Sequence, residues 1–322
     1  MQHFKSNLEK VGKISKRIII EAFCYRKFTL PFEIKEAYKI SKALKCLKQR
    51  WPELWNLTED SEYPVFIFSA GWRSGSTLIQ RLIISSEEII IWGEPFGRAG
   101  IIPRLAITLT AFDFNWPLND FFDYNFDLLD LSNKWIANLS PSVDYLKKAH
   151  RELLRQWLAV PAKEKYGVSR WGLKEVRLTI DHARYLKWLF PNARFIFIYR
   201  NLFDAYRSWK GNPWGDIWPG YFTWSPIVFA RHWRLLLEGY LQGYKEVDGI
   251  MIKFEDLVSN KINLNEIVNH IGVEKLETSV LKKKIGAPDN FDKRRRKKFL
   301  TPLERMILKV IAKPLLIKLG YL

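Results

Sequence analysis

One stretch constrains the fold of this chain more than any other. From Pro64 to Ser86 it reads PVFIFSAGWRSGSTLIQRLIISS. Val65, Phe66, Ile67 and Phe68 form a short apolar, partly β-branched run of the kind that makes a buried parallel strand, and the glycine-punctuated loop from Ser69 to Gly75 breaks it. The period then changes. Ser76 and Thr77 suit a helix cap, and Leu78, Ile79, Leu82 and Ile83 fall on one face of a helix, as a core-facing stripe requires. Strand, glycine loop and helix in this order make an anion site, because loop amides and the positive end of the helix dipole point at the same spot. On this stretch alone, a plain turn between a core strand and a helix fits equally well.

A loop for a nucleoside triphosphate needs GxxxxGK[ST], with lysine on the outer phosphates and a hydroxyl on magnesium. Here Gly71 to Gly75 is too short, Ser76 stands where lysine should be, and Arg73 is the loop's one cation. That composition suits a smaller anionic group held by amides, hydroxyls and an arginine. A second strand-to-helix junction lies further on, in RFIFIYRNLFDAYRS, Arg194 to Ser208. Ala193 to Tyr199 has the continuous apolar character of a strand buried on both faces, and Arg200 ends it. Asp204 and Ser208 share a face of the following helix, with Ser208 in reach of a phosphate oxygen that Arg200 pairs with.

These two motifs resemble those of sulfotransferases that use 3′-phosphoadenosine 5′-phosphosulfate (PAPS). GWRSGSTL is similar to the 5′-phosphosulfate loop in the RSGST form of the bacterial, Golgi carbohydrate and tyrosylprotein branches, and the second stretch to the 3′-phosphate motif. Their order and their separation of about 120 residues make the pair more specific than either alone. The resemblance runs from about Pro64 to the closing LGYL. It implies an α/β fold, a P-loop-NTPase-like three-layer sandwich with a central, mainly parallel sheet flanked by helices. It also implies that Arg73, Ser74, Gly75, Ser76, Thr77 and Leu78 hold the 5′-phosphosulfate, and that Arg200 and Ser208 hold the 3′-phosphate.

Glu88 to Trp92 reads as a second strand, EIIIW. A right-handed βαβ unit brings Glu94, just beyond it, to the sheet edge that holds the loop. Flanked by Trp92, Pro95 and Phe96, Glu94 suits a general base toward an acceptor hydroxyl; a helix cap or an ion pair with Arg73 or Arg98 is the competing role. Related RSGST enzymes use a glutamate at this strand end as base. The histidine common in the cytosolic branch has no good counterpart, since His3, His150, His182, His232 and His270 fall at the terminus, in helices or late in the chain. Ser169 to Val176 is a short strand that puts Lys174 and Glu175 near its top. The resemblance sets a lysine there, close to the transferred sulfonyl group, and Lys174 matches; a surface lysine paired with Glu175 or Asp181 is the alternative.

The remainder is expected to support this site. Residues 1–60 read as a helical N-terminal extension and 61–322 as the sulfotransferase domain. In the extension, Lys5 to Arg26 is basic and amphipathic, suited to core packing, oligomer contacts or peripheral contact with an anionic bilayer. Asp181 to Phe190, Trp224 to Val247 and Leu303 to Leu322 read as helices, the last broken by Pro314. The aromatic stretch from 99 to 165 and the loop Asn212 to Trp224 are where acceptor specificity is expected, although such a cluster also suits a core. A 48% hydrophobic content with 14 Trp and 21 Phe is ample for a large core.

A net charge of +18 suits nucleic acid, a membrane surface or an anionic substrate, and a donor phosphorylated at both ends gives part of it a use. The densest run, Lys293 to Lys298, fits a solvated loop or a 3′-phosphate contact. Cys24 and Cys46 make no disulfide framework, which suits a reducing cytoplasm. The expectation is a metal-independent transfer from PAPS to a small-molecule or glycan hydroxyl, with no nucleic acid partner. The rivals are a P-loop kinase and a non-enzymatic basic binder of nucleic acid or membrane.

Overall fold

The structure, a computed structural model, describes residues 32–55, 62–95, 100–122, 129, 136–210, 224–282 and 299–322. Five strands form one sheet: β1 (Val65–Ser69), β2 (Ile89–Trp92), β3 (Arg170–Glu175), β4 (Arg194–Tyr199) and β5 (Gly249–Lys253). Their order across the sheet is β2-β3-β1-β4-β5, and every pairing is parallel. Helices lie on both faces, giving the P-loop-NTPase-like three-layer sandwich. Because all strands run the same way, the ends of β1, β2, β3 and β4 deliver their following residues to one edge, where open parallel sheets bind ligands.

The strands sort their side chains by chemistry. Phe66 and Phe68 of β1 join Phe195 and Phe197 of β4 in one core, while Val65, Ile67, Ile196 and Ile198 point into the other. The aromatic layer packs under α1 (Ala37–Arg50), α6 (Ile180–Leu189), α7 (Leu202–Trp209), α8 (Pro226–Gly243) and α10 (Pro302–Lys318). The aliphatic layer packs under α2 (Ser76–Ile84) and α9 (Leu264–Ile271). The connection from β2 to β3 runs through α3 (Ile101–Ile107), α4 (Val143–Leu154), a π-helical turn at Arg155–Ala159 and α5 (Val160–Tyr166).

Two local expectations are corrected. Pro314 does not break the last helix, which runs unbroken from Pro302 to Lys318. A mid-helix proline costs about 3 kcal/mol. Leu315 and Leu316 are buried just beyond it, and each contributes about 1.5–3 kcal/mol. Pro314 is also exposed, so the Val310 carbonyl that loses its partner faces solvent. At the loop helix, the capping position belongs to Gly75, with Ser76 and Thr77 as the first two helical residues.

Of the aromatic stretch, Phe112 and Phe122 meet Trp51 edge-on in the core, at 6.1 and 5.4 Å between ring centroids. Phe114, Trp116 and Tyr145 are exposed. The basic segment Lys5 to Arg26, the run Lys293 to Lys298, residues 212–223 of the expected lid, Phe96, Arg98, Tyr124, Phe126 and Trp135 lie outside the described residues.

Candidate active site

The loop after β1 is built by two residues in left-handed backbone geometry, Arg73 at φ 64° and Gly75 at φ 93°. At Gly75 a side chain is excluded twice over, since a Cβ would also lie 2.1 Å from Cδ2 of Phe254. Ser74 is fully buried and its hydroxyl donates to the Ala70 carbonyl at 3.1 Å, so it closes the loop from inside. The Ser69 hydroxyl likewise donates to the Gly71 carbonyl at 2.9 Å. Ser76 and Thr77 open α2, where amides have no intrahelical acceptor. The Leu78 amide donates to the Gly75 carbonyl at 2.9 Å, and its side chain lies in the aliphatic core.

Trp72 locks this loop to the aromatic layer. Its ring stacks on Trp209 of α7 at 5.3 Å and on His232 of α8 at 4.5 Å. His232 therefore sits beneath the loop, not away from the strand ends as its place in the sequence suggests. Its Nε2 lies 3.2 Å from the Val176 carbonyl, which can only accept, so Nε2 carries the proton. Burial pulls its pKa down to about 4, leaving a neutral ring at pH 7.

Arg200, at the end of β4, and Ser208, on α7, meet the loop directly. Arg73 Nε donates to Ser208 Oγ at 3.0 Å, and Arg200 Nη1 donates to the Arg73 carbonyl at 3.2 Å. The Arg200 guanidinium lies over the Phe254 ring at 4.4 Å, so the ring that excludes a side chain at Gly75 also supports this arginine. Burial lowers the Arg200 pKa, against the opposing pull of Asp204 and Glu255. Its Nε is buried and has no hydrogen-bond partner among the described residues. A half-buried cation with a buried, unpaired Nε, beside a second arginine, a serine and a helix N-terminus, fits an anionic group.

Glu255 holds this corner from behind. One of its carboxylate oxygens accepts from the Asn201 amide and the other from the Tyr321 hydroxyl, both at 2.9 Å. The carboxylate thereby joins the start of α7 to the last residues of the chain.

Glu94, beyond β2, stands about one-third exposed and accepts from Lys174 Nζ at 2.5 Å. Lys174 is buried, and its hydrogen bond goes to Glu94 rather than to Glu175 or Asp181. Arg177 is 3.9 Å from the second Glu94 oxygen and donates to both oxygens of Glu175, at 2.6 and 3.1 Å. Burial raises the Glu175 pKa, and Arg177 opposes that. Two cations, Lys174 and Arg177, thus face Glu94. Gln80 of α2 donates to the Ile91 carbonyl at 2.8 Å, tying the end of β2 to the loop helix.

The family model described as "Sulfotransferase family" matches residues 64–277, from the start of β1 to beyond α9. The chain belongs to the sulfotransferase family. Distant likenesses accompany this match. The sulfotransferase domain of the Synechococcus PCC 7002 olefin synthase is 15% identical, over 80% of this chain and 96% of that one, with a TM-score of 0.41. Sulfotransferase STF1 from Mycobacterium tuberculosis H37Rv is 11% identical, over 92% and 90%, with a TM-score of 0.44. Sulfotransferase STF9 from Mycobacterium avium is 13% identical, over 90% and 86%, with a TM-score of 0.35. No curated protein matches.

In this chain, Arg73, Arg200 and Ser208 are brought together, and Glu94 and Lys174 form a pair at the same sheet edge. The Ser74 hydroxyl and the Leu78 side chain are turned inward. Sequence reasoning missed Trp72, His232 and Arg177. Trp72 was visible as the one aromatic in the loop, whereas His232 and Arg177 reach the site only through the packing of α8 and the turn after β3. Among the described residues, no group of three or more His, Cys, Asp or Glu side chains gathers that could hold a metal ion, and no helix is long and apolar enough to cross a membrane.

Proposed function

We propose that the protein transfers the sulfonate group of PAPS to the hydroxyl of a small-molecule or glycan acceptor. The observation that carries this reading is the cluster of Arg73, Arg200 and Ser208 around a glycine loop, with Arg200 Nε buried and unsatisfied. A donor with phosphate at both ends of its ribose presents anionic oxygens for two such places. The loop amides with Arg73, Ser76 and Thr77 hold the 5′-phosphosulfate, and Arg200 with Ser208 holds the 3′-phosphate. Ser74 contributes to this pocket through its amide and by shaping the loop.

Glu94 takes the acceptor's proton as the acceptor oxygen forms its bond to sulfur and the bond from sulfur to the 5′-phosphate oxygen breaks. Lys174 and Arg73 meet the charge that builds on the transferred group and the departing phosphate, so positioning and electrostatics supply the rate and no step calls for a metal. Arg177 keeps Glu94 aimed by bracing it against the buried Glu175. With only two cysteines in the chain, a reducing cytoplasm is the proposed setting.

The test is transfer of labelled sulfonate from PAPS into a panel of carbohydrate, lipid, natural-product and phenolic hydroxyls. Incorporation that disappears in Arg73→Ala supports the reading. Absence of transfer to every acceptor, together with absence of donor binding, overturns it.

A further inference from the structure

The outer face of α10 is apolar where a surface helix is ordinarily polar. Its inner face is buried through Leu308, Ala312, Leu315 and Leu316, and it is anchored by a capping box between Thr301 and Glu304 and by the Lys210–Glu304 ion pair at 2.7 Å. On the opposite side, Leu303, Met306, Val310 and Ile317 recur at intervals of three, four and seven residues and so align in one stripe, which Phe299 extends. All five are exposed, from 47% at Leu303 to 75% at Phe299. Arg305, Lys309 and Lys313, spaced four apart, form an exposed row along one flank of the stripe, and Lys318 stands on the other. Glu304 is the only acidic residue of the helix, and it is buried on the far side.

We infer that this face is a docking surface for an anionic phospholipid membrane, on which the helix lies parallel to the bilayer plane. An apolar stripe bordered by cations, with no acid on the exposed side, is the amphipathic pattern that sinks into the headgroup boundary of charged lipids. The net +18 of the chain adds to the attraction. The charge decides against the other occupants. A second copy would bring the row of Arg305, Lys309 and Lys313 into an interface with its own counterpart. Residues 1–31 carry more Lys and Arg than Glu, so they also repel it. The inference is separate from the basic N-terminal segment and does not depend on the donor.

Sedimentation of the full chain with vesicles tests it, using phosphatidylcholine alone and phosphatidylcholine with roughly one-third phosphatidylserine. The anionic vesicles should capture the wild-type chain, and M306E/V310E should lower the apparent partition coefficient at least about tenfold. K309A/K313A should weaken capture and flatten its salt dependence. Circular dichroism and titration with 3′-phosphoadenosine 5′-phosphate should be unchanged in these variants, and the milder M306Q/V310Q should move capture in the same direction. No capture of the wild-type chain, or equal capture of M306E/V310E, overturns the inference. A concentration-dependent dimer that M306E/V310E abolishes overturns it in favour of a second copy. A failed donor titration would count against the proposed reaction and leave the vesicle result standing.

Discussion

Replacing Gly75 with alanine perturbs the loop where three contacts meet. The residue has φ 93°, where an L side chain costs about 1–2 kcal/mol. The added methyl would also lie 2.1 Å from Cδ2 and 2.7 Å from Cε2 of Phe254, and overpacking of this kind costs about 1–3 kcal/mol. The sum predicts a loss of about 2–5 kcal/mol in the folding free energy. Phe254 lies under Arg200, so displacement of its ring should also weaken binding of 3′-phosphoadenosine 5′-phosphate. The assay is urea unfolding followed by tryptophan fluorescence, run as a double-mutant cycle with Phe254→Ala. Removing the ring leaves only the backbone strain, so the cost of Gly75→Ala should fall to about 1–2 kcal/mol in that background. Equal costs in both backgrounds would refute the claim that the loop is shaped against Phe254.

Other consequences are as specific. Glu94→Gln should lower turnover about 10²–10⁴-fold with donor affinity retained, and near-normal turnover would remove the base assignment. Arg177→Met leaves the buried Glu175 carboxylate without its bidentate partner and should destabilise the protein by about 3–5 kcal/mol in urea unfolding; an effect under about 1 kcal/mol would contradict that pairing. Burial pulls His182 down to about 3 and His232 to about 4, below the ordinary 6.5. The unfolded chain then binds more protons across that window, so the stability present above about pH 6.5 is lost as pH falls, by about 1.4 kcal/mol per unit for each ring. A urea midpoint that stays flat from pH 7 to pH 5 would count against these buried neutral rings.

β1 and β4 were legible to within a residue or two, because a strand buried on both faces shows as a continuous apolar run. The alternation inside those runs, VFIF in β1 and FIFI in β4, also encodes which layer receives the aromatics. That Arg73, Arg200 and Ser208 meet at one sheet edge was legible because each sits at a fixed offset from a strand end. What stayed hidden depends on packing between distant elements. His232 lies more than 150 residues from the loop it supports, and only the course of α8 brings it under Trp72. The cations facing Glu94 come from β3 and the turn beyond it, so its neighbours in sequence gave no sign of them. Pro314 misled because its local penalty is opposed by the burial of Leu315 and Leu316, which a helix-breaking rule does not count.

The central claim, that this loop and Arg200 bind the PAPS nucleotide, is tested most directly by calorimetric titration with 3′-phosphoadenosine 5′-phosphate, beside ATP and beside Arg200→Ala. The predicted result is a dissociation constant on the order of micromolar for the bisphosphate, much weaker binding of ATP, and loss of binding in the variant. No binding of the bisphosphate, or binding indifferent to Arg200→Ala, would contradict the account.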